Sequence, residues 1–168
     1  MQGSNSKVTY YDDHIIKEIT RDEFDEPLDV AATREVHMMV KARTGYSYIP
    51  KFYSLEGVKI KMERIYGTIL KDYIHRFPTR EMYLMIVNTV KSMIRDIIDA
   101  NVYNSDVTYD NIIISKNGKL YLVDFGLATE LRGTDDKEEY YRDSLHIFMD
   151  TFDDYLSTVG LGYLHEGL

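Results

Sequence analysis

The sequence predicts an α+β fold, and three stretches support this prediction. Residues 58–63 alternate apolar and charged side chains, as a half-buried strand does. Residues 80–100 carry an apolar stripe that repeats every three to four positions, which is typical of a helix packed on a core. Residues 112–114 and 120–123 are apolar runs on either side of Asn117-Gly118, a pair that favours a tight hairpin turn. The chain therefore combines short strands with long helices.

Composition predicts one compact domain, because 168 residues are enough to bury an independent core. The absence of cysteine excludes disulfides, a thiolate zinc site and a cysteine nucleophile. The sequence has no apolar run long enough to span a membrane and no signal-peptide pattern, so we expect a cytoplasmic protein without a membrane partner. For a secreted effector or a viral protein, that compartment would be the host cytoplasm. The net charge of −8 argues against nucleic acid as the main partner, since lysine and arginine patches bind phosphate backbones.

The most informative pattern is D-x-x-x-x-N followed by D-F-G. Asp106 precedes Asn111, and the predicted hairpin then leads to Asp124-Phe125-Gly126. Because a hairpin begins and ends at the same edge, Asn111 and Asp124 should lie close together. Carboxylate and amide oxygens are suitable ligands for Mg²⁺, and a separate carboxylate can take the proton from an acceptor hydroxyl. The pattern predicts a phosphoryl-transfer site with Asn111 and Asp124 as metal ligands and Asp106 as catalytic base.

These motifs resemble those of protein kinases, and specifically of the small atypical kinases of the RIO and KEOPS-complex type. Thr108 supports the atypical branch, because the KEOPS kinase has a threonine where ordinary kinases have a lysine. The resemblance covers nearly the whole chain and implies a truncated two-lobed protein-kinase-like fold. One domain would span residues 1–168, with a small β-rich N-lobe in residues 1–65 and a reduced helical C-lobe in residues 66–168.

The resemblance also implies a lysine and glutamate pair at the nucleotide phosphates. Residues 14–17 are similar to the strand that ends in the ATP-binding lysine, so Lys17 would be a catalytic and cofactor-binding residue. Glu35, in the helical stretch 30–43, is similar to the glutamate that holds this lysine in place.

Further nucleotide contacts follow from the same resemblance. Residues 2–8 are similar to a shortened phosphate loop, in which small residues allow backbone N–H groups to approach phosphate. The strand at 58–63 would lead into a hinge that meets the adenine ring. The implied contacts are Gly3, Ser4 and Val8 in the loop, Ile15 and Ile113 around the nucleotide, Met62 beside the adenine, and the Glu63 carbonyl and Ile65 N–H at its edge.

The chain departs from ordinary protein kinases after Gly126, where no Ala-Pro-Glu follows and the long activation segment is missing. Asn104-Ser105 stand where His-Arg or His-Gly usually precede the catalytic aspartate. Without that arginine, we do not expect regulation by phosphorylation of a loop residue. In the KEOPS-type arrangement, Asp143 would cap the backbone of the catalytic loop.

Taken together, the motifs predict a minimal atypical serine/threonine protein kinase that uses ATP with Mg²⁺ or Mn²⁺. We expect a protein substrate, and the motifs are also compatible with a partner subunit. Two alternatives remain open. The chain could be an ATP-binding pseudokinase or ATPase subunit, or it could be a small-molecule phosphotransferase like the aminoglycoside kinases, which carry a similar D-x-x-x-x-N.

Overall fold

The computed structural model describes residues 6–44 and 47–165, which contain four α-helices, nine strands and two short 3₁₀ turns. The strands are β1 (Ser6–Tyr10), β2 (His14–Ile19), β3 (Phe52–Glu56), β4 (Lys59–Glu63), β5 (Gly67–Ile69), β6 (Val102–Asn104), β7 (Ile112–Ser115), β8 (Leu120–Leu122) and β9 (Ala128–Glu130). The helices are α1 (Leu28–Ala42), α2 (Leu70–Arg76), α3 (Arg80–Asp99) and α4 (Lys137–Thr158). The 3₁₀ turns are Tyr109–Asn111 and Gly162–Leu164. The predicted α+β class is confirmed.

The N-terminal strands form one antiparallel sheet in the order β1-β2-β4-β3, with α1 packed against it. The alternation predicted for residues 58–63 is confirmed as β4, in which Ile60 and Met62 are buried. The remaining strands form a three-stranded sheet, β5-β7-β8, and a two-stranded pair, β6-β9. These two small sheets carry the segments on either side of Asp106 and Asp124.

The helix predicted over residues 80–100 is confirmed as α3. Its first turn is capped by Thr79, whose Oγ1 accepts a hydrogen bond from the Met82 N–H at 3.2 Å. The predicted apolar stripe is buried at Ile86, Val90, Ile94 and Ile98, and it packs against α4. This contact fixes the position of β6, which follows α3 directly.

The Asn-Gly hairpin is also confirmed. Gly118 has φ +79°, a conformation that glycine adopts without steric cost, and β7 pairs with β8 through Ile112 opposite Leu122. Just beyond the pairing, the Val123 N–H donates to the Asn111 carbonyl at 2.9 Å. The hairpin therefore places Asn111 beside the segment that begins with Asp124. Within the part of the chain that the structure describes, no helix is long and apolar enough to cross a membrane.

We expect Ile94→Ala to lower the free energy of unfolding by about 2–5 kcal/mol, because it removes buried methyl groups from the face of α3 that packs on the core. Met85→Ala on the exposed side of the same helix is the matched control and should change stability by about 0.5 kcal/mol or less. Urea denaturation of both variants measures the difference. Equal losses would show that α3 does not bury this stripe.

Candidate functional site

Lys17 lies in β2, and its ammonium group is buried between two carboxylates. Nζ donates to Glu35 Oε1 on α1 and to Asp124 Oδ1, each at 2.7 Å. The exposed fraction is 7% for Lys17 and 2% for Glu35. Burial opposes the charged ammonium, but attraction to Glu35 and Asp124 outweighs it and raises the pKa of Lys17 above its ordinary value. Lys17 is therefore charged at neutral pH and connects three separate segments.

Asp124 is held in an uncommon backbone conformation, with φ +69°. Its Oδ1 accepts a second hydrogen bond, from the Gly126 N–H at 3.1 Å. A Cβ at Gly126 would lie 3.3 Å from Asp124 Oδ1 and 3.7 Å from Glu35 Oε2, so glycine permits this close turn. Burial opposes ionisation of Asp124, but the Lys17 ammonium outweighs it and lowers the pKa of the carboxyl group.

Asp106 is fixed by amide side chains on both sides. Asn111 Nδ2 donates to Asp106 Oδ2 at 2.8 Å and to the Asp106 carbonyl at 3.0 Å. On the other side, the Asp106 N–H donates to Asn104 Oδ1 at 3.0 Å. Asn104 is fully buried, and its Nδ2 donates to the Asp124 carbonyl at 2.9 Å. One amide side chain therefore joins the Asp106 loop to the Asp124 turn.

Burial raises the pKa of the Asp106 carboxyl group. The hydrogen bond from Asn111 opposes this shift, and the negative charge of Asp124 adds to it. A carboxylate with a raised pKa is a stronger base than an ordinary aspartate, as proton abstraction requires. The electrostatic surroundings of Asp106 are therefore compatible with a catalytic base.

Asn104 holds the backbone of the candidate site, and the sequence reasoning missed this role. In the sequence it is only a replacement for the usual histidine, and the resemblance predicts Asp143 as the residue that caps the loop. In the structure, the Asp143 carboxylate instead accepts a hydrogen bond from the Tyr103 hydroxyl, and Asn104 holds the loop backbone. The available signal was local, because asparagine often accepts a hydrogen bond from the N–H two residues later.

The predicted catalytic and metal-binding residues face one open cleft of about 880 Å³. Lys17, Glu35, Asp106, Asn111 and Asp124 all line it. This volume lies within the range of pockets that bind nucleotide-sized ligands. The cleft therefore brings together the phosphate-binding, metal-binding and base candidates.

The other predicted nucleotide contacts lie next to this cleft or away from it. Strand register places Val8 opposite Lys17 and Ile15 opposite Met62, so these four side chains share one face of the sheet. Among the described residues, those lining the cleft do not include Val8, Ile15 or Met62.

The remaining predicted contacts have separate positions. Glu63 ends β4, and its Oε2 accepts a hydrogen bond from the Lys51 N–H at 3.0 Å. Ile65 lies in the connection to β5, and Ile113 lies in β7. These three residues also do not line the described part of the cleft. Gly3 and Ser4 lie outside the described residues, so their predicted role stays a prediction.

Arg34 lines the cleft and was also missed by the sequence reasoning. Its Nη2 donates to Asp22 Oδ1 at 2.6 Å and to the Gly126 carbonyl at 3.2 Å, and Nη1 donates to Glu26. The guanidinium also lies over the Phe24 ring, 4.4 Å from its centroid. No pattern in the sequence distinguishes this arginine from one on a solvated helix face.

The donor groups in the cleft suit a magnesium ion shared with phosphates. Asn111 uses its Nδ2 toward Asp106, which leaves the amide oxygen available to a cation. Asp124 uses Oδ1 toward Lys17 and Gly126, which leaves Oδ2 available. Residues 6–44 and 47–165 contain no group of three or more His, Cys, Asp or Glu side chains that could hold a metal ion. Magnesium in phosphoryl transfer is usually held by one or two protein oxygens together with substrate phosphates, so this donor set fits.

Comparison with known proteins gives one family. The model described as "ABC1 atypical kinase-like domain" matches residues 9–154, which is most of the chain. The match confirms the atypical kinase-like character of the chain but not its assignment to the RIO and KEOPS type. The Asp106, Asn111 and Asp124 pattern serves phosphate and metal binding in kinase-like proteins generally, and Thr108 alone does not separate one atypical branch from another. No curated protein matches the chain.

We expect Lys17→Met to lower the free energy of unfolding by about 3–5 kcal/mol, because Glu35 would be buried without its cation. Lys116→Met, in the exposed hairpin turn, is the control and should cost about 0.5 kcal/mol or less. The double variant Lys17→Met, Glu35→Leu should recover much of the loss in stability, because position 35 then carries no buried, unpaired carboxylate. Urea denaturation measures all three, and full stability of Lys17→Met would contradict the ion-pair account.

Proposed function

This chain belongs to the ABC1 atypical kinase-like family, and we propose that it is an ATP- and Mg²⁺-dependent phosphotransferase that transfers the γ-phosphoryl group to a serine or threonine hydroxyl of a protein. The observation that carries the proposal is the convergence of Lys17, Asp106 and Asp124 on one cleft, with Asp106 held in place by Asn104 and Asn111.

Four side chains have distinct roles in binding the nucleotide. The Lys17 ammonium would neutralise phosphate oxygens, and Glu35 would keep it directed into the cleft. Asn111 and Asp124 would hold Mg²⁺, for which Mn²⁺ is a substitute with similar oxygen ligands. The metal supplies neutralisation of the charge that develops on the phosphate oxygens. The protein contributes mainly position and charge, as this reaction requires.

Asp106 is the base in the proposed transfer. The acceptor oxygen forms a bond to the γ-phosphorus while the bond from that phosphorus to the β–γ bridging oxygen breaks, and ADP leaves. The hydroxyl proton moves to the Asp106 carboxylate. Because Asn111 and Asn104 fix this carboxylate and its backbone, little reorganisation is needed as the proton moves.

The sheet face beside the cleft is the proposed adenine site. Val8, Ile15 and Met62 offer apolar surface on the same face as Lys17, while the Glu63 carbonyl and the Ile65 N–H would meet the ring edge. This placement puts the nucleotide between the four-stranded sheet and the β5-β7-β8 sheet. It supports a reduced two-lobed arrangement, divided near residue 65.

Protein is the favoured acceptor because Asp124-Phe125-Gly126 is the metal-binding tripeptide of protein kinases. The chain could act on its substrate alone or with a partner subunit. A small-molecule acceptor, or water in an ATPase, would use the same Lys17, Asp106 and Asp124. Product analysis therefore distinguishes these reactions better than the site residues do.

We expect Asp106→Asn to lower phosphoryl transfer by about 10²–10⁴-fold, because the amide cannot accept the hydroxyl proton. The measurement is transfer of labelled γ-phosphate from Mg·ATP to the protein itself and to a protein mixture. Asp124→Asn should lose transfer through weaker metal binding, whereas the exposed control Asp154→Asn should retain it.

Each other outcome of this assay has a defined meaning. Undiminished transfer by Asp106→Asn would contradict its role as base. Release of free phosphate without a labelled protein would identify an ATPase. Label in a small molecule would identify a small-molecule kinase, and nucleotide binding without any transfer would identify a pseudokinase.

The pH dependence of transfer should report the raised pKa of Asp106. The carboxylate form is active, so the rate should fall as pH decreases through this pKa. Because burial raises it in the free protein, the acidic limb of kcat/KM, which reports the free protein, should lie above the ordinary aspartate value of about 4. Transfer rates at Mg·ATP concentrations well below KM, measured from pH 4 upward with a stability check at each pH, test this. A limb at or below the ordinary value would contradict the burial effect.

A further inference from the structure

Arg34 and Glu35 are consecutive residues of α1, and both stabilise the turn formed by residues 124–126. Glu35 holds Lys17, which in turn holds Asp124 Oδ1. Arg34 donates directly to the Gly126 carbonyl at 3.2 Å. The turn that carries the proposed metal ligand is therefore fixed at both of its ends, on one side through the ligand carboxylate and on the other through the backbone of Gly126.

The guanidinium of Arg34 is itself held by a preformed acidic loop. Asp22 Oδ2 accepts hydrogen bonds from the N–H groups of Phe24 at 2.8 Å and Glu26 at 3.0 Å, which orders the loop. Asp22 Oδ1 then accepts from Arg34, and Glu26 accepts from the other terminal nitrogen. Only 5% of the Asp22 side chain and 18% of the Arg34 side chain are exposed. The orientation of Arg34 is therefore set by its surroundings and not by solvent.

We infer that Arg34 is a positioning residue for the metal-binding turn at Asp124. By holding the Gly126 carbonyl, it maintains the left-handed backbone of Asp124 and the direction of its carboxylate. This inference rests on the proposed function, because it assumes that Asp124 binds the metal. Groups that orient a metal ligand without touching the metal often change metal affinity by about 10- to 100-fold when they are replaced.

Lysine is a useful replacement because it keeps the charge and loses the planar fork. The two terminal nitrogens of Arg34 together contact Asp22, Glu26 and the Gly126 carbonyl. The donors of a lysine ammonium group all lie on one nitrogen, so they cannot reach the same three partners in this geometry. Arg34→Lys should therefore retain an ion pair with the acidic loop but release the turn. Arg76→Lys, in the exposed last turn of α2, is the matched control.

The first measurement is the Mg²⁺ concentration that gives half-maximal binding of a non-hydrolysable ATP analogue. For Arg34→Lys we expect this concentration to rise about 10- to 100-fold, while analogue affinity in excess EDTA stays near that of the wild type and the unfolding transition stays cooperative. Arg76→Lys should match the wild type in all three. An unchanged Mg²⁺ midpoint in folded Arg34→Lys would overturn the inference.

Amide hydrogen exchange without any ligand is the second measurement. The Gly126 N–H is bonded to Asp124 Oδ1, so we expect it to exchange at least several-fold faster in Arg34→Lys, with α3 amides unchanged. Unchanged exchange at Gly126 would overturn the inference even if the variant were less stable overall. If the wild type itself bound no nucleotide with Mg²⁺, the proposed function would fail, and the exchange result would still decide whether Arg34 holds the turn.

Discussion

The buried ammonium of Lys17 is the interaction on which the rest of the site depends. Its two carboxylate partners come from α1 and from the turn after β8, so one cation connects the sheet, the helix and the proposed metal-binding turn. A buried, unpaired charge would cost several kcal/mol of stability. Removing any one of the three charged groups would therefore destabilise the fold by leaving the others without a partner. The fold therefore favours the arrangement in which Lys17 and Asp124, the groups proposed to bind phosphate and metal, are assembled together with Glu35.

Side-chain hydrogen bonds to backbone carbonyls complete this arrangement. Asn104 binds the carbonyl of Asp124, and Arg34 binds the carbonyl of Gly126, on either side of Phe125. Phe125 is itself buried in the core. The turn is thus fixed by apolar packing at its centre and by polar contacts at its ends, and such preorganisation is the main contribution that a protein makes to phosphoryl transfer.

The parts of the structure that could be predicted from the sequence are those marked by a regular apolar repeat or by motif residues at a fixed spacing. The stripe of α3 and the Asn-Gly hairpin follow from local geometry, and the hairpin correctly predicts that Asn111 lies beside the segment that begins with Asp124. Asn104 and Arg34 were missed because their roles depend on contacts between distant segments. The atypical kinase-like character is confirmed, whereas the finer RIO and KEOPS assignment is not supported, because the family model that matches is that of the ABC1 atypical kinase-like domain.

Paramagnetic broadening by Mn²⁺ is the measurement that tests the central claim most directly. Amide signals of the ¹⁵N-labelled protein would be recorded with a non-hydrolysable ATP analogue, first with Mg²⁺ and then with small additions of Mn²⁺. The account predicts that signals of Asn111, Asp124 and Gly126 disappear first, while that of Ser92 on the exposed side of α3, a helix that does not line the cleft, persists. Broadening centred elsewhere, or none when the analogue is bound, would contradict the assignment of this cleft as a metal-nucleotide site.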